Sequence, residues 1–195
     1  MTKPMNALSA SVVRDFCTLC DKAHEYWLNY LELFDNNLRN PEICNSPAGK
    51  EWERLSVISH EHSLLQIVKL HDPAVMNGNI NLGINYMLTY DGWSDSVRSR
   101  LEALAETLSD FASQLRDARH KILSHNDLAT IKANAALGAF TEGDDEKYFK
   151  SLQEFVDIVH GEVIGSRCPF DDHVKSEAAL FLAAIRPASL PTPCA

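Results

Sequence analysis

A chain of 195 residues with 45% hydrophobic and 23% charged side chains is long enough for one domain with a sizeable core. Its net charge of −9 and isoelectric point near 5.3 argue against broad, non-specific nucleic-acid binding, which requires a basic surface. No apolar run is long enough to cross a membrane, and Met1-Thr2-Lys3-Pro4-Met5 lacks the apolar core of a signal peptide, so a cytoplasmic protein with no membrane role is expected.

The elements read as helices throughout. Residues 6–38 keep a wide apolar face (Val12, Val13, Phe16, Leu19, Cys20, Ala23, Tyr26, Trp27, Tyr30, Leu31 and Phe34), and Asn36, Asn37 and Asn40-Pro41 end it. Residues 40–46 read as a loop. Ser46-Pro47 then supplies an N-cap followed by proline at the first helical position. The helix that starts there runs to about His71, with Trp52, Leu55, Val57, Ile58, Leu64, Leu65, Ile67, Val68 and Leu70 carrying its packing. His60 and His71 share a face but stand about 16 Å apart at 1.5 Å per residue, too far to share a metal. Asp72 reads as a helix-ending residue before Pro73. Residues 73–80 form a loop around the turn dipeptide Asn77-Gly78, and Asn81 to Tyr90 is a short helix.

The longest helix follows. Val97, Leu101, Leu104, Leu108, Phe111, Leu115, Ala118 and Ile122 recur in steps of four and three, which places one apolar stripe on an α-helix. Asp91-Gly92 is a turn ahead of it and Ser94 an N-cap. From about Ser94 to Leu123 this helix spans roughly 45 Å. The next stripe position is His125, so a buried-face position changes from aliphatic to imidazole where the helix ends. Beyond it, Leu128–Phe140 is Ala-rich, Thr141 to Asp145 is a turn with Asp144 as cap, and Glu146 to Ile164 is a helix with Phe149, Leu152, Phe155, Val156 and Val159 on one face. Cys168-Pro169 breaks it, Asp171 or Asp172 caps a last helix to about Ile185, and residues 187–195 read as a flexible tail. The expected fold is an all-α, up-and-down bundle of about five to seven helices in a single domain over residues 1–186.

Cys17-Thr-Leu-Cys20 has the two-residue gap of redox or metal pairs, but it lies within a helical pattern without a second pair at ligand spacing. The five cysteines therefore read as free thiols, and no metal or cofactor is expected.

The segment Leu115-Arg116-Asp117-Ala118-Arg119-His120-Lys121-Ile122-Leu123-Ser124-His125-Asn126-Asp127 concentrates the polar chemistry. Arg119 and His125 sit roughly 120° apart around the axis and about 9 Å apart along it. One phosphate is gripped by both only if the helix end bends or a second copy contributes, which points to a site across a symmetric dimer. Basic residues at a helix C-terminus also complement the dipole, and a terminal histidine often acts as a cap, so spacing alone supports either reading.

Arg119-His120-Lys121-Ile122-Leu123-Ser124-His125-Asn126-Asp127 resembles the Arg–polar–x–His signature of the HEPN superfamily, in particular its AbiU-type abortive-infection branch. A second segment, Val68-Lys69-Leu70-His71-Asp72-Pro73 followed by Asn79-Ile80-Asn81-Leu82-Gly83-Ile84, is similar to the Leu-x-Asp-Pro and Asn-Leu-Ser-Ile elements of that branch. His120 replaces the commoner Asn, and Ser124 and Gly83 are small-for-small changes. The resemblance covers roughly residues 10–165.

It implies an HEPN-like bundle and a metal-independent endoribonuclease acting as a toxin or phage-defence effector. Arg119, His120 and His125 would be catalytic, and Arg116, Lys121, Asn126, Asp127 and Asp72 would support them. The implied partners are a second copy of the chain, an RNA substrate and an antitoxin, with DNA not expected. The alternative is a non-catalytic HEPN module that binds nucleotide or a partner beside an antitoxin or nucleotidyltransferase. The cations around the motif (Arg98, Arg100, Arg116, Arg119, Lys121 and Lys132) would have to supply the local positive patch that the acidic chain otherwise lacks.

Overall fold

The structure, a computed structural model, describes residues 8–35, 41–118, 141 and 143–185. Apart from one two-residue hairpin, every regular element among them is helical, as expected of an all-α bundle. Contacts divide the chain into two compact units, Met1–His24 with Leu64–Phe170 and Glu25–Ser63 with Asp171–Ala195.

α1 spans Ala10–Tyr30. Ser9 caps it, its hydroxyl accepting from the Val12 amide at 3.2 Å. Val13, Phe16, Cys17, Cys20, Ala23 and Trp27 are buried at helical spacing, whereas Leu19, expected to pack, is 41% exposed. The expected continuous helix to residue 38 is replaced at Leu31–Asp35 by a π-helical turn. The extra residue per turn of a π-helix does not register in a 3.6-residue pattern.

In the first unit, α5 (Asp95–Ala118) and α6 (Asp144–Ile164) form the principal packed pair. They run antiparallel, because Arg100 meets Glu154 near one end and Phe111 meets Tyr148 towards the other. The predicted α5 stripe is buried at Val97, Leu101, Leu108, Phe111 and Leu115. It faces Leu152, Phe155, Val156 and Val159 of α6, all fully buried. Ser94 begins α5 as expected, with the Val97 amide donating to its hydroxyl at 3.4 Å. Phe16 of α1 packs edge-on against Phe155, with ring centroids 5.9 Å apart. α6 starts at Asp144, two residues ahead of expectation, and closes at Gly165, whose φ of 89° and amide bonds to the His160 and Gly161 carbonyls end the helix before Cys168-Pro169 is reached.

α3 (Gly49–Lys69) reaches the first unit at Leu64. It is followed by β1 (Val75–Met76), β2 (Asn79–Ile80) and α4 (Ile84–Leu88). The segment predicted as a plain loop is thus an antiparallel hairpin pairing Val75 with Ile80. Asn77 and Gly78 both take positive φ (52° and 80°), the geometry of a two-residue hairpin turn.

In the second unit, α2 (Pro41–Cys44) is a single helical turn where a loop was expected. Pro41 stands at its first position, and the buried Ile43 ties it to a core of Leu33, Trp52 and Ala178 flanked by Phe34 and Leu182. α7 (Val174–Ile185) packs on the π-helical turn. Leu55, Val57 and Ile58, expected to pack, are 44%, 51% and 60% exposed. At about 100° per residue, Leu55 and Ile58 stand some 300° and 240° round the helix from Trp52, against about 120° for the buried Leu64. The apolar residues of α3 encircle its first half, and periodicity could not choose the buried side.

Candidate functional site

α5 is described to Ala118, the residue before Arg119. Arg119, His120, Lys121, His125, Asn126 and Asp127 lie outside the described residues, as do the side chain of Arg116 and the whole of Lys132. The buried seam of α5 carries the chain to the motif: Leu108 and Leu115 are 0% and 1% exposed.

Two of the cations counted towards a positive patch are engaged within the fold. Arg98 Nη2 donates to the Tyr90 carbonyl at 2.8 Å and Nη1 to the Leu88 carbonyl at 3.4 Å, fastening the turn between α4 and α5. Arg100 faces Glu154 at 3.5 Å across α5 and α6.

The second sequence segment forms an interlocked junction. Asp72 follows the end of α3, its amide donating to the Lys69 carbonyl at 3.2 Å, which is the helix-ending role expected before Pro73. Asn85 Nδ2 donates to the carbonyls of His71 and Asp72 at 3.0 and 3.2 Å, and Asn81 Nδ2 donates to that of Pro73 at 2.8 Å. The Ile84 amide bonds the Leu70 carbonyl at 2.8 Å. Gly83 sits so close to that carbonyl that a Cβ there would stand 2.6 Å from its oxygen. The paired elements Leu-His-Asp-Pro and Asn-Leu-Gly-Ile are therefore one structural unit, in which side-chain amides satisfy carbonyls that the helix end leaves open. Asp72 also lines a cavity of about 340 Å³ with Leu19, Gln66, Lys69, Leu70, Ile80, Asn81 and Leu82.

His71 is buried, and its Nε2 lies 3.0 Å from the hydroxyl of Tyr148 on α6. Burial pushes the Tyr148 phenol well above its ordinary pKa, so it stays protonated. Tyr148 in turn packs against Phe111 of α5, with centroids 4.8 Å apart. The junction is thereby joined through His71, Tyr148 and Phe111 to the half of α5 that leads to Arg119. Tyr148 and Asn85 were not singled out from the sequence. Tyr148 sits on an otherwise apolar helical face, and nothing in a linear pattern pairs it with a residue 77 positions earlier.

Above this pair, Thr107, Asp110, Phe111, Gln114, Asp144, Lys147 and Tyr148 enclose a cavity of about 190 Å³. Lys147 Nζ bonds Asp144 Oδ1 at 3.0 Å and holds that carboxyl below its usual pKa. With two carboxylates and one paired lysine, this cavity offers no anion site by itself. Among the described residues, Asp171, Asp172 and His173 bring donor atoms within 4.8 Å of one another. All three are exposed, and Asp171 accepts the His173 amide at 2.7 Å at the start of α7. No described helix is long and apolar enough to cross a membrane.

The family model for AbiU2, an HEPN family, matches residues 5–181. No curated protein and no solved structure matches the chain significantly. The match takes in both sequence segments and the described helices as far as Phe181 in α7. Order of motifs, helical architecture and family match agree, and the chain belongs to the AbiU2 family of HEPN domains.

Proposed function

We propose that the protein is a metal-independent endoribonuclease of the HEPN type, acting as a toxin or phage-defence effector in the cytoplasm. The observation that carries this reading is the family match over a chain that keeps both Arg119 and His125 directly after the buried α5 seam. RNA cleavage through the 2′-hydroxyl needs a proton acceptor, a cation for the crowded phosphate and an acid for the leaving oxygen. Imidazole titrates near neutrality, so His125 is the general base or acid. Arg119 is the fork that holds the phosphate and stabilises its transition-state charge. His120 is the second proton carrier or orients the phosphate. Asn126 and Asp127 fix the His125 tautomer, and Arg116 and Lys121 add positive charge. Two motifs facing each other in a homodimer form the cleft, and the product ends in a 2′,3′-cyclic phosphate.

The net charge of −9, and the engagement of Arg98 and Arg100 within the fold, favour a second reading. In it the same residues hold a nucleotide or a partner protein, such as an antitoxin, without turnover. RNA cleavage by the purified protein with and without EDTA, beside Arg119→Ala and His125→Ala, separates the two. Nuclease action predicts chelator-resistant cleavage that each substitution lowers by roughly 10²-fold or more. Folded, dimeric protein that cleaves nothing but binds nucleotide or a protein partner tightly sinks the nuclease in favour of the binding module.

A further inference from the structure

α7 carries more apolar surface than its packing uses. Ala178 and Leu182 pack on the core of Leu33, Ile43 and Trp52, and Val174, one turn earlier, is buried too. Yet Leu180, Phe181 and Ile185 are 72%, 48% and 37% exposed. No charged residue stands between Glu177 and the end of the helix. The Phe181 ring stacks beside Trp52 of α3, with centroids 6.4 Å apart and planes 17° from parallel. Leu55 and Ile58 follow Trp52 by three and six residues, each about 60° further round α3, and both are exposed. One apolar surface therefore runs from α7 past Trp52 and along α3, within the second unit.

We propose that this surface is where a second copy of the chain docks, α7 packing on α7 about a two-fold axis. The inference rests on the dimer in the function proposed above but not on RNA cleavage, and it applies equally to the binding module. The area is that of an interface. At roughly 150–250 Å² for a large residue left fully open, Leu55, Ile58, Leu180, Phe181 and Ile185 together expose about 500 Å². Each partner in a standard interface contributes about 800 Å², of which about 450 Å² is apolar. The charge also suits a copy of the same chain. Glu51 and Arg54, beside Leu55, pair at 2.9 Å, and Lys175 and Glu177 balance at the start of α7. The surface is thus close to neutral on a chain of net charge −9, and two copies meet there without the like-charge repulsion that acts elsewhere. A lipid surface would call for a basic flank, which these balanced charges do not provide.

The test is the mass of the full chain by light scattering coupled to size exclusion, beside Leu180→Glu, Ile58→Glu and, as a control, Val75→Glu. All three positions are more than half exposed, so the single chain keeps its fold, which circular dichroism checks. Leu180 and Ile58 lie on different helices, so either variant decides if the other misfolds. The parent is expected at twice 21.8 kDa. Leu180→Glu enters a two-fold interface twice, and a rise of roughly 10²-fold or more in the dissociation constant is expected, leaving a monomer. Ile58→Glu weakens the dimer in the same direction, and Val75→Glu, in the hairpin of the first unit, leaves it unchanged. A monomeric parent overturns the proposal, whether the surface then binds lipid vesicles or residues 187–195 of its own chain. So does a parent mass that survives both Leu180→Glu and Ile58→Glu, which would leave the two-fold axis at the Arg119 motif. So does a Val75→Glu protein that dissociates as readily as Leu180→Glu.

Discussion

Replacing Tyr148 by Phe tests the joint between the Leu70–Pro73 junction and α5. The substitution keeps the ring that packs on Phe111 and Phe149 and removes only the hydroxyl 3.0 Å from His71 Nε2. No sizeable cavity forms, so the cost is that of the lost hydrogen bond together with a buried imidazole nitrogen deprived of that hydroxyl. Tyr148 and His71 are 2% and 4% exposed, so water does not replace the partner. Such a loss costs about 1–3 kcal/mol. For a chain of this size that is a fall of roughly 2–12 °C in Tm, at about 2–4 °C per kcal/mol. Urea unfolding of the parent, Tyr148→Phe, His71→Leu and the double variant completes a cycle, with a coupling of about 0.5–3 kcal/mol expected. The double variant should be closer to the parent than the sum of the singles, because each single substitution already removes the one hydrogen bond that the two residues share. A Tyr148→Phe protein within about 0.5 kcal/mol of the parent, or strictly additive singles, would refute the pairing as a source of stability.

Two further outcomes follow from the same geometry. Gly83 has φ −167° and ψ −170°, extended backbone open to any residue, so Gly83→Ala is disfavoured by space alone. Its Cβ would press on the Leu70 carbonyl at 2.6 Å, a backbone atom held by the Ile84 amide, and a loss of about 1–3 kcal/mol in urea unfolding is expected. An unchanged midpoint would mean that the junction yields freely. The pH dependence is set by acids that burial keeps protonated. Cys17 is raised from 9.0 to about 12, and Cys20 and Tyr148 are raised as well. The folded state binds these protons more tightly than the unfolded chain, so their stabilisation is complete below pH 9 and is lost as pH rises towards 12. Denaturant midpoints should fall above pH 9, less steeply in Cys17→Ala; a flat profile would contradict the burial of these groups.

The α5 stripe was legible because apolar residues at steps of three and four leave a single side to bury, and every described stripe position but the half-buried Leu104 is buried. Ser94 and the turn at Asn77-Gly78 were legible because their chemistry is local. The family was readable from two short segments in the right order. The buried side of α3 was not readable, since Leu55, Val57 and Ile58 scatter apolar residues around its first half instead of marking one face. The π-helical turn and the helix at Pro41 also escaped, for the packing of Leu33 in one and of Ile43 in the other depends on Trp52 and Ala178 arriving from elsewhere in the chain. The joining of His71 to Tyr148 belongs to tertiary structure alone. A sequence separation of 77 positions leaves no local spacing to betray a contact that only packed helices create.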